Sequence, residues 1–155
     1  MLKKPKYGWS RITIGDWSDS VSYIDDVPGM LLNALIDSCR NHHPVAVKFD
    51  AEGYEYVLLF DWQCSYVLYQ SVPFVHAKPL EEEPEVLIFD VERKDVAAEL
   101  IRDIRTDIDD WAQFEASSMD SEETVAKNKE RLLALCDELE GLLPGDDYML
   151  VYSSD

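Results

Sequence analysis

Positive charge is scarce in this sequence of 155 residues. Its 14 lysines and arginines are set against 32 aspartates and glutamates, which gives a formal net charge of −18. Nucleic acids and anionic membranes attract basic surfaces, so this balance argues against both of them as partners. It favours a basic macromolecule instead, because opposite charges steer association.

Cysteine and long apolar runs are also rare. Cys39, Cys64 and Cys136 form no Cys-x-x-Cys pair, so the sequence indicates neither a disulfide framework nor a zinc knuckle. No apolar run approaches the ~18 residues of a membrane-spanning helix, and the charged first residues lead into Tyr7 rather than into a hydrophobic leader. We therefore expect a cytoplasmic protein with neither a signal peptide nor a membrane span.

Motifs of the common catalytic and cofactor sites are missing as well. His42, His43 and His76 lack the spacing of zinc or iron ligands. The sequence contains no phosphate-binding P-loop, no G-x-G-x-x-G and no G-x-S-x-G. These absences favour a protein that is not an enzyme and that holds neither a metal nor a cofactor.

The apolar pattern predicts one globular domain over residues 1–155. Short alternating stretches bounded by turn residues predict strands, and apolar residues at steps of three and four predict helices. The predicted strands form a hairpin within 7–24 and continue at 45–49, 54–60, 64–69, 85–89 and 148–152. The predicted helices cover about 28–42, 93–116 and 120–141. Hairpin-length breaks between strands then indicate an α+β fold: a mainly antiparallel sheet of about six to seven strands with three helices, two of them consecutive in the C-terminal half.

The negative charge is concentrated after residue 80, where 7 basic residues accompany 23 acidic ones. On the predicted helix 93–116, four carboxylates fall on the face opposite the apolar stripe. We call Glu99, Asp103, Asp107 and Asp110 the acidic ridge. Like charges four residues apart destabilise a helix, so stability alone does not favour this arrangement. The ridge is therefore a candidate contact for a basic partner, although a solvated face that maintains solubility is an equal alternative.

Charge is also reversed along the last predicted helix. Basic residues lie in its first half and acidic residues crowd its last turns, which opposes the helix dipole. The residues concerned are Lys127, Lys129 and Arg131, then Asp137, Glu138 and Glu140. Such local conflicts often mark functional positions.

Further candidate contacts lie in predicted turns and loops. Trp17 and Trp62 occupy turns between strands, where an exposed tryptophan can anchor a partner. The run Glu81, Glu82 and Glu83 lies in a proline-rich loop, 71–84, and adds negative charge there.

Part of the sequence resembles a known class of proteins. The stretch Tyr7-Gly8-Trp9-Ser10 with Ile12 and Ile14-Gly15, the stretch Phe49–Glu55 and the acidic helical half resemble the small acidic immunity proteins of bacterial polymorphic and contact-dependent inhibition toxins. This resemblance implies a cytosolic protein that binds a cognate toxin domain and blocks its active site or substrate groove.

Three other interpretations stay open. One is an enzyme that uses carboxylates, which would need a buried carboxyl with a perturbed pKa beside a pocket. Tyr54, Tyr56, Tyr66 or Trp62 could line an aromatic pocket on the sheet, which would make the protein a small-ligand-binding or regulatory domain. An exposed sheet edge would also permit a homodimer.

Overall fold

A computed structural model describes residues 1–22, 24–52, 54–70, 85–114 and 121–143. Within these ranges the chain forms six strands and four helices. The strands are β1 (Trp9–Ile14), β2 (Trp17–Ser22), β3 (Val45–Asp50), β4 (Glu55–Phe60), β5 (Ser65–Gln70) and β6 (Glu85–Phe89). The helices are α1 (Val27–Asn41), α2 (Arg93–Thr106), α3 (Ile108–Phe114) and α4 (Glu122–Leu142). None of these helices has the length and apolar character needed to cross a membrane.

The fold is α+β, but the predicted arrangement of its elements is wrong in two respects. The six described strands form two sheets, β1-β2 and β3-β4-β5-β6, rather than one. The helix predicted over 93–116 is two helices, because the chain turns at Asp107, and this raises the described helices from three to four. The predicted strand 148–152 and the predicted loop 71–84 lie outside the described residues.

The helix break was invisible in the apolar pattern because the pattern continues across it. Ala97, Ile101 and Ile104 of α2 are buried, and so is Trp111 of α3. At the break, the Asp107 carbonyl accepts hydrogen bonds from the N–H groups of Asp110 and Trp111. Buried residues therefore recur at short, helix-like intervals on both sides of Asp107, although the helix itself is interrupted there.

The four-stranded sheet is antiparallel throughout, and one of its faces forms much of the core. Buried side chains on this core face are Val47, Phe49, Tyr56, Leu58, Phe60 and Val67. The β1-β2 hairpin contacts the four-stranded sheet through side chains. Neither β1 nor β2 pairs with any of the strands β3 to β6. The Tyr56 hydroxyl donates to the Ser20 carbonyl at 3.1 Å, and the Trp17 ring packs edge-on against Tyr56. This is why a pattern of strands alone did not separate the two sheets.

The helices complete the core, and α4 packs against the other three. Leu132, Cys136 and Leu139 form its buried stripe. Its first residue, Glu122, lies two positions after the predicted start, and it follows Ser121, the N-cap, whose hydroxyl accepts from the Thr124 N–H at 3.3 Å. The helix ends at Leu142, one residue beyond the predicted Gly141.

Gly15 occupies the two-residue turn of the first hairpin and has a φ of +58°. A Cβ at this position would lie 2.9 Å from Cδ1 of Phe89. We expect Gly15→Ala to lower the free energy of unfolding by about 1–3 kcal/mol, because a side chain is strained at positive φ and must also displace the Phe89 ring. Urea unfolding followed by circular dichroism measures the change.

Gly141 provides the matched control for this substitution. It lies on the exposed side of α4, and a Cβ there would have no neighbour within 4 Å. Gly141→Ala should raise the free energy of unfolding by up to about 1 kcal/mol, because alanine is the better helix former. Equal effects at both positions would contradict the assignment of strain to Gly15.

Candidate protein-binding surface

The acidic ridge contacts the protein's own first residues. The Met1 ammonium donates to Oδ2 of Asp103 at 2.7 Å and to Oε2 of Glu99 at 3.2 Å. The Leu2 N–H also donates to Oδ2 of Asp103, at 2.9 Å. Residues 1–4, which we call the N-terminal segment, are also tied to β1, since the Thr13 N–H donates to the Met1 carbonyl and Leu2 is buried. The ridge therefore joins α2 to the first hairpin.

Asp103 is more enclosed than Glu99 and Asp110, with 18% of its side chain exposed. Burial alone would raise its pKa, but the hydrogen bonds from the Met1 ammonium, the Leu2 N–H and Arg102 stabilise the charged form and hold the pKa below its usual value. Asp110 pairs with Nζ of Lys4 at 2.8 Å, and this contact raises the pKa of Lys4. Only Asp107 forms no ion pair among the described residues.

The reversed charges of α4 also have partners within the fold. Lys129 reaches Oδ1 of Asp109 in α3 at 2.6 Å, and Arg131 reaches Oδ2 of Asp26, the cap of α1, at the same distance. Near the other end of α4, Glu138 pairs with Arg40 of α1. The local conflict seen in the sequence is thus resolved by ion pairs between helices.

Arg105 of α2 forms the most extensive of these interhelical contacts. Its guanidinium binds both carboxylate oxygens of Glu140, at 3.0 and 2.9 Å, and Oδ1 of Asp137 at 2.7 Å. The hydrogen bonds from Arg105 lower the pKa of Glu140, and those from Glu140 and Asp137 raise the pKa of Arg105. Two acidic residues in the last turns of α4 therefore hold α2 in place.

The two candidate tryptophans lie in different settings. The prediction that Trp17 lies in a turn is wrong, because Trp17 is the first residue of β2 and pairs with Ile14. It is half-buried and packs against the core beside Tyr56. Trp62 is 45% exposed, and the Arg93 guanidinium lies 4.9 Å from its ring centroid. Arg93 is itself held by the carbonyl and hydroxyl of Ser38, at 3.2 and 2.5 Å. Trp62 is thus the tryptophan with more surface available to a partner, whereas Glu81, Glu82 and Glu83 lie outside the described residues.

The aromatic side chains of the alternative pocket do not converge. Tyr56 is fully buried on the core face of the sheet. Tyr66 pairs with Leu59 and therefore lies on the opposite face. Tyr54 donates its hydroxyl to Asp19 in β2 at 2.6 Å. Because Tyr56 and Tyr66 point to opposite sides, no single pocket holds the predicted set.

Sequence reasoning missed the second face of the four-stranded sheet. Cross-strand pairing places two neighbouring rows of side chains there, Ala46-Leu59-Tyr66-Ile88 and Lys48-Val57-Leu68-Val86. We call this surface the outer face. Seven of its eight side chains are apolar or aromatic, whereas the solvent side of an antiparallel sheet is ordinarily polar. The available signal was that β4, β5 and β6 are apolar at successive positions rather than at alternate ones.

A metal site finds no support in the described ranges. Within them, no three histidine, cysteine, aspartate or glutamate side chains are grouped to hold a metal ion. No family model, curated protein or solved structure matches this chain. Functional inference therefore rests on the residues and their geometry.

Asp103→Asn should destabilise the protein at pH 7 by about 1–3 kcal/mol, because the Met1 ammonium would lose a charged acceptor. A lowered folded-state pKa stabilises the protein above the carboxyl's ordinary pKa of 3.8, and that contribution is lost as pH falls through the folded-state value. The stability difference between wild type and variant should therefore shrink on acidification below that pH. Urea unfolding at a series of pH values measures it.

Asp107→Asn is the matched control, since it removes the same charge from the same ridge. Its effect at pH 7 should be within about 0.5 kcal/mol. An equal loss in the two variants would contradict the conclusion that the contact of Asp103 with the Met1 ammonium stabilises the fold.

Arg105→Met should lower the free energy of unfolding by about 1 kcal/mol in low salt, because it removes a bidentate contact between α2 and α4. The loss should decrease in about 1 M sodium chloride, which screens exposed charges. Arg102→Met is the control on the same helix: Arg102 is 64% exposed and contacts only its neighbour Asp103 among the carboxylates of the described residues. Its effect should stay below about 0.5 kcal/mol, and thermal and urea unfolding compare the two variants.

Proposed function

We propose that this protein is a non-enzymatic acidic binding protein of the bacterial cytoplasm that neutralises a basic protein partner. The resemblance of its sequence to immunity proteins supports a cognate toxin domain as that partner. The proposal requires a surface that remains negative after the protein has folded.

The use of positive charge within the fold carries this proposal. Nine of the 13 basic side chains in the described ranges form ion pairs with the protein's own carboxylates. These pairs leave the net charge of −18 unchanged. A partner that approaches the molecule therefore meets an excess of carboxylates. Few unpaired cations in the described ranges weaken the negative field of these carboxylates.

A field of this sign suits a partner with a basic groove. A toxin that acts on nucleic acid carries such a groove, and carboxylates can occupy it in place of phosphates. Electrostatic steering raises association rates by about 10- to 1,000-fold at low salt. Rapid capture is what a neutralising protein needs, because free toxin acts while it remains unbound.

The test begins with affinity capture by the tagged protein from its native cytosol at low salt, with elution by rising salt and identification by mass spectrometry. The identified basic protein is then purified, and its association rate is measured by stopped-flow fluorescence. We expect a stoichiometric complex that inhibits the partner's activity and an association rate that falls as salt rises. Absence of a basic partner, or a rate independent of salt, would overturn the proposal.

Two variants that change the net charge in opposite directions make this test more specific. Asp95→Asn with Glu130→Gln removes two exposed carboxylates that form no ion pairs in the described ranges, and it should slow association at low salt. Lys127→Gln removes a cation whose side chain is 72% exposed, and it should accelerate association. Equal rates for both variants would show that the field does not steer the partner.

A further inference from the structure

The outer face of the four-stranded sheet is a contiguous apolar surface. Its two rows bring Val57, Leu59, Tyr66, Leu68, Val86 and Ile88 side by side across β4, β5 and β6. Val86 is 51% exposed and Ile88 is 66% exposed, whereas the four side chains nearer the centre are half-buried. Ordinary exposed apolar residues are scattered singly, and contiguous patches of this kind mark interaction sites.

Carboxylates border this apolar surface at both ends of the strands. On the outer face, Asp50 and Glu55 form the next cross-strand pair beyond Lys48 and Val57. At the opposite end, Asp61 follows β4 and Asp90 follows β6. The one cation on the face, Lys48, is paired with Glu55 at 2.7 Å. An apolar centre with a polar border is the usual anatomy of a protein interface.

We infer that the outer face is the surface on which the basic partner docks, with an apolar patch of that partner against Tyr66 and Ile88 and its basic side chains against the bordering carboxylates. This inference rests on the proposed function and names its contact site. The acidic ridge is then not the contact site. It holds the N-terminal segment, which binds three of the four ridge carboxylates.

Charge decides which occupant this face fits. A second copy of the chain would bring its own carboxylates towards Asp50, Asp61 and Asp90, and it would add another charge of −18. Like charges placed together at an interface are unfavourable, whereas basic side chains at the same positions are attracted and paired. The border thus selects a basic partner over self-association.

The first experiment asks whether the face is open on the free, full-length protein. Nile red is the probe, because it is neutral and the net charge does not repel it. Its fluorescence should fall by half or more in Ile88→Ser and in Val86→Ser, relative to wild type. Ile24→Ser is the matched control, since Ile24 is 59% exposed and lies outside the face. Equal fluorescence in wild type and both face variants would show that the face is not open to the probe, and it would overturn the inference.

The second experiment measures the affinity of the purified basic partner by calorimetry. Ile88→Ser should weaken binding at least tenfold, whereas Ile24→Ser should stay within twofold of wild type. Val86→Ser gives the same information if Ile88→Ser does not fold, and melting temperatures report folding. Unchanged affinity in the face variants would overturn the inference while the proposed function stands, because the partner would still bind.

The remaining outcomes are also decisive. Light scattering after gel filtration gives the mass of the free protein, and a wild-type dimer that Ile88→Ser converts to a monomer would assign the face to a second copy. If no basic protein binds the wild type, the proposed function fails and the partner named here fails with it. In that case the Nile red result still reports whether the face is open.

Discussion

The shortage of cations governs how the helices of this protein pack. A helical layer with so many carboxylates would repel itself unless each available cation lay between elements, and that is where several of them lie. Arg105 joins α2 to α4, Arg131 joins α4 to the cap of α1, and Lys129 joins α4 to α3. Each such pair is weak when exposed. Together these pairs link the four described helices to one another.

The same constraint explains the contact between the first residues and α2. The Met1 ammonium is one more cation, and it lies against Asp103 and Glu99 on the helix face that is richest in carboxylates. Leu2 is buried beside it and pairs with Ile12 of β1. A charge contact and an apolar contact therefore fix the first hairpin to the helical layer together. The ridge that suggested a partner in the sequence thus has a structural task.

Local patterns predicted most of the elements but not their assembly. Strand β6 matched its predicted bounds at 85–89, and α1 was predicted to within about one residue at each end. A short apolar run after a polar loop and a proline in the first turn of a helix, here Pro28, are both local signals. The division into two sheets could not be predicted, since it depends on Tyr56 and Trp17 meeting across the core. The ion pairs of the ridge were hidden for the same reason: Asp103 and Met1 are 102 positions apart.

The outer face shows how one sheet can serve two purposes. Strands that are apolar at successive positions are typical of sheets covered on both sides. In this sheet Leu58 and Phe60 face the core, while Val57 and Leu59 face away from it, so the sequence of β4 already requires a cover on each side. The helices and the first hairpin supply the inner cover. In the proposed complex, long-range attraction from the acidic surface acts on the association rate, whereas short-range burial on the outer face acts on the lifetime of the complex.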